Sequence, residues 1–187
     1  MMETYLFYRM CKKEDYTGNV ESNINKLPVN YSFVLWKPSL RNIVPKGLQL
    51  FPFAVWWIFH HTRIFRNRDY SLALIYDGDT LIHRSGIFPP YFRFPFMSQN
   101  DLQIGDTWTH PDYRGQGLAT YTVLRIIDEY LTSHRCLWYL VSSNNKASIR
   151  VIEKSGFQMV AYGKRKKRFG LSILGAYTID NKESNHE

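Results

Sequence analysis

"DTWTHPDYRGQGLATYTVLRII", Asp106 to Ile127, is the stretch on which the reading of the whole chain turns. Its first residues read as the end of a strand, and Pro111 opens a turn. From Gly117 to about Ser133 the apolar side chains of Leu118, Tyr121, Leu124, Ile127 and Leu131 recur at helical spacing. A helix start presents unpaired backbone N–H groups and the positive end of the macrodipole. Gly115 and Gly117 strip the Cβ atoms from that start, Ala119 keeps the next position small, and Arg114 adds a cation. Such a concave nest of N–H groups suits phosphate oxygens.

Three nucleotide-binding patterns compete for this turn. A P-loop requires a Lys-Ser/Thr pair that is missing here. A dinucleotide fingerprint requires GxGxxG, but "GQGLAT" has Thr120 at the third glycine and no acidic residue about 20 positions on. The pattern [Q/R]-x-x-G-x-[G/A] is met in full by Arg114-Gly115-Gln116-Gly117-Leu118-Ala119.

Outward from the turn, "LQIGDTWT" is the strand that feeds it. Upstream, "YSLALIY" and "TLIHRSGIF" read as strands joined through Asp77-Gly78-Asp79, a hairpin signal. "ETYLFYRM" is a first strand, "EDYTGNVESNINKL" helical or irregular, and "FAVWWIFHHTRIF" a strongly apolar helix. Downstream, "CLWYLV" is a continuous apolar run suited to a strand covered on both faces. "NKASIRVIEKSGF" is a short helix, with Asn145 to cap its start and Gly156 to end it in a left-handed conformation. "QMVAYGK" and "LSILGAYTI" are closing strands around the basic loop Lys164 to Arg168. These elements imply an α/β fold, a mixed sheet with helices on both faces, in one domain over residues 1–180 with a flexible tail at 181–187.

A chain of 187 residues can bury a sizeable core, and 44% hydrophobic with 16% aromatic residues excludes a disordered one. Cys11 and Cys136 have no metal-ligand spacing, which predicts no metal site and a reduced, cytoplasmic chain without structural disulfides. A net charge of +8 calls for an anionic partner without choosing one. No nucleic-acid-binding pattern accompanies the basic run, so nucleic acid is not the expected partner. "LQLFPFAVWWIF", Leu48 to Phe59, is too short to span a bilayer. It reads as a buried helix, or else as a membrane-peripheral contact over residues 48–68 with Arg63, Arg66 and Arg68 beside it.

The hexapeptide at Arg114, on its strand–turn–helix, resembles the acetyl-CoA pyrophosphate loop of the GCN5-related N-acetyltransferases. "NNKASIRVIEKSGF", with Asn145 eleven residues before Gly156-Phe157, resembles that family's later segment, and the element order over residues 4–180 matches its fold. The resemblance implies direct acetyl transfer from acetyl-CoA to a primary amine. It assigns the pantetheine arm to Thr107, Trp108 and Thr109, the pyrophosphate to Arg114, Gly115, Gln116, Gly117, Leu118 and Ala119, and a further contact to Asn145.

The catalytic groups depart from the family pattern. Asp106 is the one acid in the strand where many members carry a glutamate, and His83 is a second candidate base. Each has a plain structural alternative, a carboxylate bonded to nearby amides and a hydrogen-bonded core histidine. His60, His61 and His110 are more distant candidates, and Ile152 occupies the place of the helical tyrosine that often protonates the leaving thiolate.

Acceptor choice is expected in Lys26 to Asn67 and Phe88 to Asp101. There "PPYFRFPFM" offers ring faces, and Arg93 a phosphate contact. A nucleotide-linked amino sugar of bacterial surface-polysaccharide synthesis is the expected acceptor, with a protein N-terminus of ribosomal-protein type as the alternative. A non-catalytic CoA-binding or docking module is the reading from another class, and a homodimer is allowed for.

Overall fold

The computed structural model describes residues 3–12, 27–168 and 171–180. The helical or irregular segment expected near 14–27 and the tail at 181–187 lie largely or wholly outside them. Eight strands form one sheet: β1 (Thr4–Met10), β2 (Tyr31–Trp36), β3 (Ser71–Asp77), β4 (Thr80–Phe88), β5 (Leu102–Thr109), β6 (Leu137–Ser142), β7 (Gln158–Arg168) and β8 (Leu171–Asp180). Their order across the sheet is β2-β3-β4-β5-β6-β1-β7-β8. Every neighbouring pair is antiparallel except β5–β6, which is parallel. Three helices are described, α1 (Leu50–His61), α2 (Leu118–Tyr130) and α3 (Lys146–Lys154).

Strand alternation explains why both faces are covered. Along β3, Leu72 and Leu74 enter an aromatic core with Phe53, Phe65, Phe88, Tyr91 and Phe94. Ala73, between them, enters the opposite core with Val123, Leu124, Ile126 and Ile127 of α2. A strand feeding two cores cannot alternate apolar with polar, so it reads as a continuous apolar run. The Asp77–Thr80 hairpin forms as expected, with Gly78 at φ 55.

Asn145 Oδ1 accepts from Ser148 N–H to cap α3, and Gly156 has φ 85 just past its end, also as expected.

Four features differ from the sequence reading. "YSFVLW" forms β2, an edge strand paired along its length with β3. The basic run 164–168 is not a loop but part of β7, where Lys164 faces Thr178 of β8 and ion-pairs with Asp180 at 3.7 Å. Helix α1 buries Phe53 but leaves Leu50, Phe51 and Ile58 exposed, so it is not wholly interior. Cys11 and Cys136 are joined by a disulfide across 125 positions, which overturns the expectation of a chain without one. Antiparallel β1–β6 pairing at Met10–Leu137 explains it, since it brings the next residue of one strand opposite the preceding residue of the other.

That bond predicts a measurable dependence on redox state. The unfolded, unreduced chain should show no DTNB-reactive thiols and the reduced chain should show both cysteines. Reduction should lower the unfolding free energy by about 2 to 4 kcal/mol in urea titrations, because the bond closes a long loop.

Candidate active site

Strands β5 and β6 pair at Leu102–Leu137, Gln103–Trp138 and Ile104–Tyr139, and then part. The cause lies on the other edge of β5. Gly86 of β4 faces Gly105 but Arg84 faces Trp108, so β5 carries an extra residue there. Asp106 sits in this bulge at φ 48, the left-handed region that a residue with a Cβ seldom adopts. Beyond the bulge β5 stays with β4, while β6 stays with β1 as far as Ser142. The two strands fork at Tyr139, and the β5 edge beyond Ile104 has no ladder partner on that side.

On one side of the fork lies a cavity of about 440 Å³, lined by Thr107, Trp108 and Thr109 of β5, Tyr139 of β6, the turn into α2, and α3. Gly115 and Gly117 stand in the turn at φ 79 and 78, and a Cβ on either would meet no atom within 4 Å. The glycines therefore serve the left-handed turn and keep open the space before the first N–H groups of α2. Arg114 donates from Nε to the Thr109 carbonyl at 3.3 Å. Arg114, Arg150 and Lys154 give the lining three cations, and no carboxylate lines it.

The expected positions 107–109, 114, 115 and 117–119 all line this cavity. Gln116 and Asn145 do not: Gln116 Oε1 accepts from the Tyr31 hydroxyl at 3.1 Å, and Asn145 caps α3. Sequence reasoning missed Tyr113, Tyr139 and the face of α3 formed by Ala147, Arg150, Val151 and Lys154. Their helical spacing was a usable signal, since it sets them on one side of a helix whose start the cavity already touches.

On the other side of the fork is a cavity of about 210 Å³, with Asp106, Gly105 and Gln103 of β5 and Leu140 of β6 in its wall. Arg84 donates to the Asp106 carboxylate from Nε at 3.3 Å and Nη2 at 3.2 Å, while its guanidinium lies over Trp108 and Phe53. His83 takes the opposite direction and is fully buried. Its Nδ1 shares a hydrogen with Thr109 Oγ1 at 2.8 Å, and its Nε2 with Ser85 Oγ at 3.3 Å. Ser85 Oγ in turn meets Thr107 Oγ1 at 3.1 Å, to which the Tyr139 hydroxyl donates at 3.5 Å. Burial, with Arg84 nearby, lowers the pKa of His83 to about 3, so its imidazole is neutral near pH 7. His60, His61 and His110 line neither cavity. Among the described residues no group of three His, Cys, Asp or Glu side chains is placed to hold a metal.

Comparison with known proteins agrees with this geometry. The sequence profile of the acetyltransferase (GNAT) family matches residues 38–157. The chain belongs to that family. A GNAT-family protein of Novosphingobium aromaticivorans superposes with TM-score 0.55 at 14% identity, over 87% of this chain and 62% of its own. A tandem GNAT protein from the clavulanic acid biosynthesis pathway gives 0.58 at 15% identity, over 84% and 50%. A GCN5-related N-acetyltransferase-like protein of Streptococcus suis gives 0.51 at 13% identity, over 87% and 59%. At such identities the likeness is one of fold, and the chain spans from half to just over three fifths of these structures. Curated protein sequences give no match.

The family's cosubstrate is acetyl-CoA, and the larger cavity fits it. Three cations and a helix N-terminus suit its phosphates, and the unpaired edge of β5 suits an amide-bearing arm.

Gly117→Glu should abolish CoA binding in calorimetry by setting a carboxylate in the cradle and straining the turn; retained affinity would remove the cradle's assignment. Stability should also fall as pH drops below the ordinary histidine value of 6.5, because the unfolded chain protonates His83 and the folded chain does not until about pH 3. The slope in urea titrations should approach about 1.4 kcal/mol per pH unit from this group, and His83→Gln should remove that share.

Proposed function

We propose that the protein is an N-acetyltransferase that moves acetyl from acetyl-CoA directly to a primary amine. The observation behind this reading is the fork at Tyr139, with a cationic cavity on one side and the Asp106-lined cavity on the other. A donor in the first and an amine in the second would meet where the strands part, so positioning supplies much of the rate.

The amine must be neutral to attack. Asp106, at the second cavity, takes its proton directly or through a water, and Arg84 holds the carboxylate in place. The C–N bond forms as the C–S bond breaks, and the electron pair leaves with sulfur. Backbone N–H groups of Thr107 to Thr109 stabilise the carbonyl oxygen. Tyr139 is the proton donor to the thiolate, since its hydroxyl is at the fork and Ile152 has none to give. His83, reached through Ser85 and Thr107, positions that hydroxyl chain and does not act as the base.

For the nucleotide-linked amino sugar expected from the sequence, Arg93 is the one lining cation among the described residues that could meet a diphosphate, and a cavity of about 210 Å³ holds little more than the amine end. The exposed Leu50, Phe51 and Ile58 of α1, with Arg63, Arg66 and Arg68 following, support a contact with anionic membrane surface. No described helix is long and apolar enough to cross a membrane. A cytoplasmic setting requires Cys11 and Cys136 to oxidise against a reducing poise.

Thiol release from acetyl-CoA with a panel of amines tests the reading. CoA binding without turnover of any amine would sink it in favour of a binding module. Asp106→Asn and Tyr139→Phe should each lower kcat by about 10²-fold with CoA affinity unchanged. Wild-type kinetics in both variants would remove these roles.

A further inference from the structure

The second cavity carries more information about the acceptor than the amine alone. Its walls are rings: Trp56 of α1, Phe88 of β4, Tyr91 and Phe94 of the loop, and Tyr177 of β8. They are braced against one another. Trp56 meets Phe88 edge-on at 5.2 Å, Tyr91 meets Phe94 edge-on at 5.0 Å, and Phe94 stacks on Tyr177 at 5.8 Å. Polar groups are few. Gln103 spends its amide on the Ile104 carbonyl at 2.6 Å. Burial pushes the Tyr91 phenol up to about 12, so it is neutral. The charged lining residues are Asp106, bound by Arg84, and Arg93, which lies over the Tyr91 ring.

From this lining we infer that the acceptor is a small primary amine on a flat, apolar body, an arylalkylamine rather than a sugar. The inference rests on the acetyltransferase reading above. The ring walls suit a flat apolar body, and Asp106, held by Arg84, marks the nitrogen end beside the fork; Arg93 over Tyr91 and Arg165 over Tyr177 already supply the cations of the ring wall. Sugar hydroxyls would find few partners on these walls and would be desolvated without compensation. The volume, about 210 Å³, falls below the roughly 300 to 1,000 Å³ of sites for drug-sized ligands. A nucleotide diphosphate therefore does not fit inside, whereas one ring with a short amine arm does. The ammonium form of such an amine passes its proton to Asp106 or to water. The freed lone pair forms the C–N bond, the C–S bond breaks onto sulfur, and the second N–H proton is lost to solvent as Tyr139 protonates the thiolate.

Two measurements separate this inference from the activity it rests on. Calorimetric titration of the CoA-loaded protein with 2-phenylethylamine should show binding that weakens at least tenfold in Trp56→Leu and in Tyr177→Leu, with CoA affinity unchanged as the check on folding. Absence of that binding overturns the acceptor assignment, even if another amine is acetylated. Thiol release should give a kcat/KM for 2-phenylethylamine at least tenfold above those for a nucleoside-diphosphate amino sugar and for a tetrapeptide with a free N-terminus. A higher value for either competitor also overturns it. Binding of 2-phenylethylamine with no acetyl transfer to any amine supports the cavity's ligand class and removes the transferase reading instead.

Discussion

The parting of β5 from β6 is the constraint on which the site depends. Each strand has two edges, and β5 commits one of them to β4 along its whole length. The extra residue at Asp106 turns the strand, and Arg84 clamps that turn by binding the carboxylate from the same β4 edge. Once turned, β5 cannot follow β6, which is held by β1 up to Ser142. Unpaired backbone groups inside a sheet are costly unless water or another group meets them, so the β5 edge beyond Ile104 calls for a partner. The strain of a left-handed aspartate, of order 1 to 3 kcal/mol, persists because the β4 ladder holds Gly105 before it and Trp108 after it.

The fork also sorts chemistry by face. Toward α2 and α3 the lining holds cations, small residues and hydroxyls, a setting for phosphates and an amide-bearing arm. Toward α1 and the 90–97 loop it holds rings, one carboxylate and the guanidinium of Arg93, a setting for a flat apolar group. Adjacent residues divide this labour: Asp106 lines the second cavity and Thr107 the first, and so do Leu140 and Tyr139. The bulge at Asp106 puts the change of cavity between two adjacent residues of β5.

Much of the donor side was legible because it is local. Arg114 to Ala119 encode their turn through two glycines, and the α2 stripe follows at helical spacing, so six residues predict the turn and the helix start. The Asp77-Gly78-Asp79 hairpin is legible for the same reason. The acceptor side is assembled from α1, β4, β5, β6, β8 and a loop, and no single segment carries its pattern. The disulfide was hidden because register, not spacing, brings Cys11 to Cys136. "KRKKR" has no apolar alternation to betray a strand, since β7 in that part is held by ladder bonds to β8 and by charge pairing rather than by burial. Edge strand β2 escaped notice because "YSFVLW" alternates poorly and packs on one neighbour only.

His83 shows why a candidate base is judged by its surroundings. A base that accepts a proton at neutral pH needs a pKa near that range and a path to the substrate. His83 has both ring nitrogens engaged by hydroxyls and is buried beside the cationic Arg84, so its charged form is penalised twice. In the neutral ring one nitrogen donates and the other accepts, and Thr109 and Ser85 can each take either part. The ring thus fixes the orientation of two hydroxyls, Thr109 on β5 past the bulge and Ser85 on β4 opposite it, without gaining charge. Thr107 and Thr109 of the donor cavity are held by that ring directly and through Ser85. Asp106 differs in placement: it is partly exposed, lines the second cavity, and is held in position by the same Arg84 that burdens the histidine.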